Sequence, residues 1–268
     1  GVFLFAVGFG PFPGGILAEQ FGLSMPFFAF AALGVVAGIV AFSRVPETRG
    51  IRKNPAEAQA GATGEGPGLP VIDQLRYLFR QVGFLLICLV NFTQFFARTG
   101  AIFTVVPVLG AVKLGLKPDQ IGTGLTLVSL LNLGMVYFAG VLADRFGRKP
   151  VIVPANLLTV ISLVILALAP AKDWFMAGLA LWGIAAGIGG TAPAAYAADL
   201  AIPGMNAITM SSFRMVSESG YVIGPLLLGW ISDLFRSETA LFTTAGIFAV
   251  ISLLFALFAP ETRKVRRS

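Results

Sequence analysis

Long apolar runs broken by short charged loops dominate this chain of 268 residues. Eight runs are long enough to cross a bilayer as helices, a task that takes about 20 residues because hydrocarbon leaves no backbone group unpaired. They lie at roughly 1–18, 24–44, 82–110, 118–142, 150–170, 173–197, 206–232 and 238–259. The pattern therefore predicts an all-α polytopic membrane protein with eight transmembrane segments. Before the third segment, Ile72, Leu75 and Leu78 recur at helical spacing among Asp73, Arg76 and Arg80, which predicts a short helix on the membrane surface. The alternative is a third segment that starts early. Residues 50–69, rich in Ala, Gly and Pro, read as a flexible tether.

The first pair of segments returns at the end of the chain. Gly10-Pro11, Gly15, Glu19, Phe21, Phe28 and Pro46-Glu47-Thr48-Arg49 are matched, 214 positions later and without a gap, by Gly224-Pro225, Gly229, Asp233, Phe235, Phe242 and Pro260-Glu261-Thr262-Arg263. Internal symmetry in an apolar chain marks secondary transporters built from related bundles. The second copy closes a run of six segments, so four more are expected before Gly1. On this reading residues 1–49 are the end of one bundle, 50–81 a cytoplasmic linker, 82–259 a complete six-helix bundle, and 260–268 a basic cytoplasmic tail.

Charge fixes the expected orientation. Loops on one side hold fourteen Lys and Arg and those on the other hold Lys113, Lys117, Lys172 and Arg236. The richer side, with the carboxyl terminus, is assigned to the cytoplasm. The net charge of +6 thus reflects topology rather than nucleic-acid binding. Composition agrees, with 56% apolar and only 12% charged residues. The chain has no histidine, which removes His-based zinc sites and Ser–His or Cys–His catalysis, and its one cysteine, Cys88, lies in an apolar run. No enzyme, metal site or cofactor is expected.

Polar residues inside spans are costly and usually face a bundle interior or water. Asn91, Gln94 and Arg98 stand at i, i+3 and i+7, and Asn132 and Tyr221 lie on other segments. A substrate cavity and simple interhelical hydrogen bonding are the two readings of this stripe. Arg214 and Glu218 stand one turn apart in the seventh segment, either as a proton-coupling acid with its modulator or as a structural ion pair or gate. The first segment carries Gly10, Pro11, Gly14 and Gly15, expected to kink and pack closely. The fourth segment ends in Gly140, Asp144, Arg145, Gly147, Arg148 and Lys149. Gly140 is expected to permit close helix approach, Gly147 to take positive φ, and Arg148 and Lys149 to face the anionic inner surface.

Gly-x-x-x-Asp-Arg-x-Gly-Arg-Lys resembles the signature loop of the major facilitator superfamily. The resemblance extends over the whole chain and implies twelve helices in two bundles, eight of them present. It also implies a cytoplasmic latch of Asp144 with Arg148, with Asp199 as partner, and a cavity lined by the third, fourth, sixth and seventh segments. An aromatic neighbourhood of Phe92, Phe95, Phe96, Trp182 and Tyr221 is expected there. Gly-Pro-x-x-Gly-Gly is similar to the motif of drug–proton antiporters, with Ala6 where that motif has a further glycine. The function expected is proton-coupled efflux of small amphipathic drugs or metabolites by a monomer in the plasma (inner) membrane. Facilitated transport or symport of an organic anion is the rival, and a non-transporting receptor or scaffold module is the alternative of another class.

Overall fold

A computed structural model describes residues 11–44, 70–201 and 205–262, so Gly10, the tether and the basic tail lie outside the described residues. The described part is helical. In chain order the helices are α1 (Pro11–Phe21), α2 (Met25–Arg44), α3 (Val71–Arg80), α4 (Val82–Phe96), α5 (Val106–Leu114), α6 (Pro118–Phe146), α7 (Lys149–Leu168), α8 (Lys172–Gly189), α9 (Ala192–Asp199), α10 (Asn206–Leu234) and α11 (Ser237–Phe258). A π-helical stretch, Ala97–Val105, fuses α4 to α5 into one 33-residue rod.

Among the described residues six helical rods are long and apolar enough to cross a membrane, where eight spans were expected of the whole chain. The first expected span is described only from Pro11 onward. The seventh became α10, whose 29 residues suffice in length but carry Arg214, Glu218 and Asp233. Its polar content reflects what it faces, as the cavity below shows. The short helix before the third span exists as α3, with Leu78 fully buried and Asp73 and Arg76 paired at 3.6 Å.

Glycine governs how the rods pack. A Cβ on Gly220 would stand 2.6 Å from the Phe92 carbonyl oxygen, and one on Gly224 would stand 2.5 Å from that of Phe96. One on Gly100 would meet the Gly224 backbone at 2.6 Å. Contacts therefore advance along α4 and α10 together, and the two run parallel. The same holds for α6 and α8, where Gly183 meets Val128 and Gly187 meets Asn132. In contrast, Gly178 lies against Leu166 and Gly189 against Ala155, so α7 and α8 are antiparallel. These directions are those that alternate crossings require. Backbone contact of this kind is how membrane helices associate when lipid offers no hydrophobic drive.

Two interruptions of regular helix are compensated by hydroxyls. Pro225 gives no N–H, which frees the Tyr221 carbonyl within α10. Thr99 shares its hydroxyl proton between that oxygen at 3.5 Å and the Phe95 carbonyl at 2.9 Å. In the π-helical stretch, Thr104 donates to the Thr99 carbonyl at 2.8 Å, reinforcing the wide turn before Pro107.

Two buried apolar clusters lie toward opposite ends of this assembly. One contains Ile102, Leu109, Leu166, Phe175 and Phe248, and the other contains Leu78, Phe84, Ile152, Tyr196 and Phe255. Outside, large side chains such as Phe27, Phe42 and Val112 are exposed, as suits a lipid solvent. α2 buries no residue at all. α1 meets α6 where Gly15 comes within 3.1 Å of the Pro118 carbonyl, counted from an added Cβ. Gly14 has open space around it, and Pro11 and Pro13 occupy the first described turn.

Replacing Gly224 by Val drives a branched side chain into the Phe96 backbone and should cost about 3 kcal/mol or more. Gly246→Ala, with nothing within 4 Å, should be neutral or slightly stabilising. Thermal unfolding of the detergent-solubilised protein checks both, and equal melting points for the two variants would contradict the packing described.

Candidate functional site

Between the two apolar clusters lies a cavity of about 510 Å³, within the range of small-molecule sites. α4 supplies Asn91, Gln94 and Arg98, the expected stripe, in full. α6 supplies Asn132 and α10 supplies Glu218 and Tyr221. The lining also includes Ser129, Phe103, Thr159, Thr191 and Phe248, none of them among the candidates named above. Phe103 was hidden by the π-helical stretch: five residues after Arg98 is one wide turn, so both face the cavity, whereas regular α spacing would separate them. Thr159 and Phe248 come from α7 and α11, which the resemblance left out of the cavity.

The aromatic neighbourhood needs correction. Phe95, Trp182 and Tyr221 line the cavity, and the Phe95 and Tyr221 rings meet at 4.4 Å between centroids, tilted by 37°. Phe92 and Phe96 do not line it. Their backbones carry the glycine contacts with α10, and Phe96 is buried in the apolar core.

Polar groups fall into two kinds. Gln94 Nε2 donates to Asn156 Oδ1 and to the Gly189 carbonyl, both at 3.4 Å, which joins α4, α7 and α8. Cavity lining and interhelical bonding, offered as alternatives for the stripe, thus hold together at Gln94. Arg98 and Glu218 have no ion-pair partner within 4.0 Å among the described residues, and they are the only charged residues of the lining. Of the two readings of Arg214 and Glu218, the direct ion pair is not formed; both side chains are exposed, and Glu218 lines the cavity whereas Arg214 does not. Glu218 stands roughly 18 Å along α10 from Asn206, at 1.5 Å per residue.

One end of the assembly carries a second cluster. α6 continues through Asp144 and Arg145 to Phe146, so most of the expected loop is its last turn, and only Gly147 and Arg148 link α6 to α7. Gly147 adopts φ of 102°, a conformation that favours glycine. The Arg148 guanidinium reaches Asp144 Oδ1 at 3.0 Å and Asp199 Oδ2 at 3.2 Å. It also donates to the Ala143 carbonyl at 2.8 Å. The Thr262 hydroxyl donates to Asp199 Oδ2 at 3.1 Å, and the amides of Arg148 and Thr262 both donate to Glu261 Oε1. Thus the Pro260-Glu261-Thr262 segment docks on the Gly147 turn, a contact not foreseen from sequence.

Lys149 is half-buried and donates to the Ala259 carbonyl at 2.7 Å, at the negative end of α11. Among the described residues nothing comes within 4 Å of a Cβ on Gly140, so the close approach expected there is not made by them. Arg145 stays out of the cluster, with its guanidinium 5.5 Å from the Phe146 ring centroid. At the opposite end Lys113 bridges Glu238 at 3.2 Å and the Ala167 carbonyl at 2.9 Å, and Lys117 pairs with Glu19 at 3.4 Å. Cations assigned by charge to opposite faces therefore do gather at opposite ends.

The sequence profile of the Major Facilitator Superfamily matches residues 87–268. The chain belongs to the Major Facilitator Superfamily. Among curated members, the multidrug resistance protein MdtH of Photorhabdus laumondii is 30% identical over 166 residues, covering 60% of this chain and 40% of that protein. The inner membrane transport protein YnfM of Escherichia coli is 30% identical over 194 residues, covering 68% of this chain and 44% of that protein. This facilitator chain thus spans less than half the length of those relatives. The crystal structure of the Escherichia coli fucose:proton symporter superposes with a TM-score of 0.61 at 18% identity, covering 94% of this chain and 72% of that one. A peptide transporter crystallised with sulfate gives 0.59 at 19% identity, covering 65% and 37%. Both show the fold.

Within this facilitator fold the Arg148 cluster is testable by its asymmetry. Arg148 is 20% exposed and Asp199 35%, whereas Asp144 is 79% exposed and its pair is worth little. Arg148→Ala should raise amide hydrogen exchange across residues 259–262 by about tenfold, and Asp144→Asn by less than threefold. Equal effects of the two substitutions would show that Asp199 does not anchor the segment.

Proposed function

We propose that this chain is the substrate-binding part of a secondary active transporter that couples export of small amphipathic compounds to protons by alternating access. Residues 82–259 act as one six-helix bundle and residues 11–44 as the end of another, joined by a cytoplasmic linker and α3. The protein works as a monomer in the plasma membrane, with the Arg148 cluster and the carboxyl terminus toward the cytoplasm. The observation that carries this reading is a cavity of about 510 Å³ between the helices, rich in aromatic side chains, whose two charges are paired with no other described residue. A structural ion pair would have consumed them.

Glu218 is the group that exchanges a proton in this scheme, since among the described residues it is the one carboxylate in the cavity lining. The Arg148 cluster latches one end. It ties the end of α6 to α7, α9 and the segment after α11, and opening that end must break it. The names of the MdtH relatives agree with a drug-like cargo, and YnfM is a transport protein of an inner membrane.

Inside-out membrane vesicles from cells expressing the protein test this. A fluorescent amphipathic dye carrying both charges should accumulate when the interior is acidified, and a protonophore should abolish the accumulation. Glu218→Gln should reduce proton-driven uptake by tenfold or more, and Arg214→Gln should leave it within about twofold. Uptake that survives the protonophore would overturn proton coupling.

A further inference from the structure

We infer that the central cavity is built for a zwitterion about two residues long, with a carboxylate at Arg98 and an ammonium at Glu218. The inference rests on the reading of this cavity as the binding site, and adds the substrate class. It begins from charge balance. Among the described residues the lining holds one guanidinium, one carboxylate and no other charge, and neither is paired within 4.0 Å. A cationic ligand would satisfy Glu218 but meet Arg98 unmatched, and an anion would do the reverse. Desolvating a charge without a partner is costly, so a ligand carrying both signs suits this lining best.

Geometry sets the length. Gly220 rests against Phe92 and Phe96, and Gly224 against Phe96 and Gly100, which fixes the register of α10 on α4. Glu218 then stands level with about Phe92, and Arg98 lies six residues farther along the same direction, a rise of roughly 9 Å. That offset keeps the two charges from meeting directly. An α-amino acid carries both charges on one carbon and spans too little, whereas two extended residues reach about 7 Å. Charge-assisted hydrogen bonds at the two ends supply the rest.

The remainder of the lining fits the middle of such a ligand. Asn91 and Asn132 present amides to a peptide-like bond, while Trp182, Phe103 and Phe248 offer apolar and aromatic surface to a side chain. Tyr221 sits in the field of both Arg98 and Glu218, between the two ends.

Three probes separate the possibilities: phenylalanyl-alanine, its carboxyl-terminal amide and its N-acetyl form. Binding to the purified protein is read by calorimetry, with quenching of Trp182 fluorescence in a Trp174→Phe, Trp230→Phe background as the second readout. The dipeptide should bind at least tenfold more tightly than either capped form. Arg98→Gln should remove the preference over the amide, and Glu218→Gln the preference over the acetylated form. The comparison of probes on the unsubstituted protein stands even if a variant is lost to misfolding. Equal binding of all three, tighter binding of a capped form, or no saturable binding up to millimolar concentration would overturn the inference. Dipeptide selectivity without proton-driven uptake would sink the transport reading alone, and proton-driven uptake without selectivity would sink this one alone.

Discussion

Backbone contact at Gly220 and Gly224 sets where the charged cavity residues stand. Because neither residue has a side chain, α10 lies directly on the carbonyls of Phe92 and Phe96. That contact fixes the register of Glu218 and Tyr221 against Asn91, Gln94 and Arg98. Any side chain at either glycine would push α10 away by the width of a methyl group and slide the two charges relative to each other. In water such a contact would add little beyond ordinary packing. In lipid, where apolar side chains gain nothing by leaving hydrocarbon, close backbone approach is itself the source of association. The same device recurs at Gly183 and Gly187, which seat α8 on α6 and carry Trp182 into the cavity wall.

Proline and threonine complete this arrangement. Pro225 follows Gly224 and removes the hydrogen bond that would have reached Tyr221. The freed carbonyl faces α4, where Thr99 lies within hydrogen-bonding distance. An unpaired carbonyl at that depth would cost several kcal/mol in a hydrocarbon environment. The pairing therefore does two jobs, keeping α10 continuous and adding a polar tie to α4 next to the cavity. Thr99 also marks the π-helical stretch, since its own carbonyl accepts from Thr104 five residues on.

Much of this was legible in the sequence, for physical reasons. Hydropathy gave the rods because lipid permits only long apolar helices, and the period of 3.6 put Asn91, Gln94 and Arg98 on one face before any coordinates. The signature motif placed Arg148 beside Asp144 and Asp199, and positive φ at Gly147 followed from the need for a turn. What stayed hidden came from tertiary geometry. No local pattern announces that residues 97–105 wind as a π-helix, so Phe103 was missed. The Arg214 and Glu218 spacing allowed an ion pair or a separate acid, and only the packing of α10 shows that Glu218 lines the cavity while Arg214 does not. The Pro260-Glu261-Thr262 segment was recognised as half of a repeat, not as the strap that its carboxylate makes of it.

The distribution of ionic contacts separates structural charge from functional charge. Arg148, Asp144 and Asp199 tie α6, α7 and α9 together at one end, and Glu261 and Thr262 bring in the segment after α11. Lys113 with Glu238 ties α5 to α11 at the other end, and its bond to the Ala167 carbonyl brings in α7. Among the described residues no ion pair reaches α10, although it carries Arg214, Glu218 and Asp233. Its hold on α4 and the π-helical stretch includes glycine contact, the Phe95–Tyr221 ring contact and the Thr99 hydroxyl, none of them ionic. Anchoring α10 without charge leaves Glu218 uncommitted, just as anchoring α4 through Gln94 leaves Arg98 uncommitted. A bundle whose rods were held at mid-depth by salt bridges would have no charge left there to meet a ligand. Moving the ionic ties to the two ends is what keeps the middle available for binding.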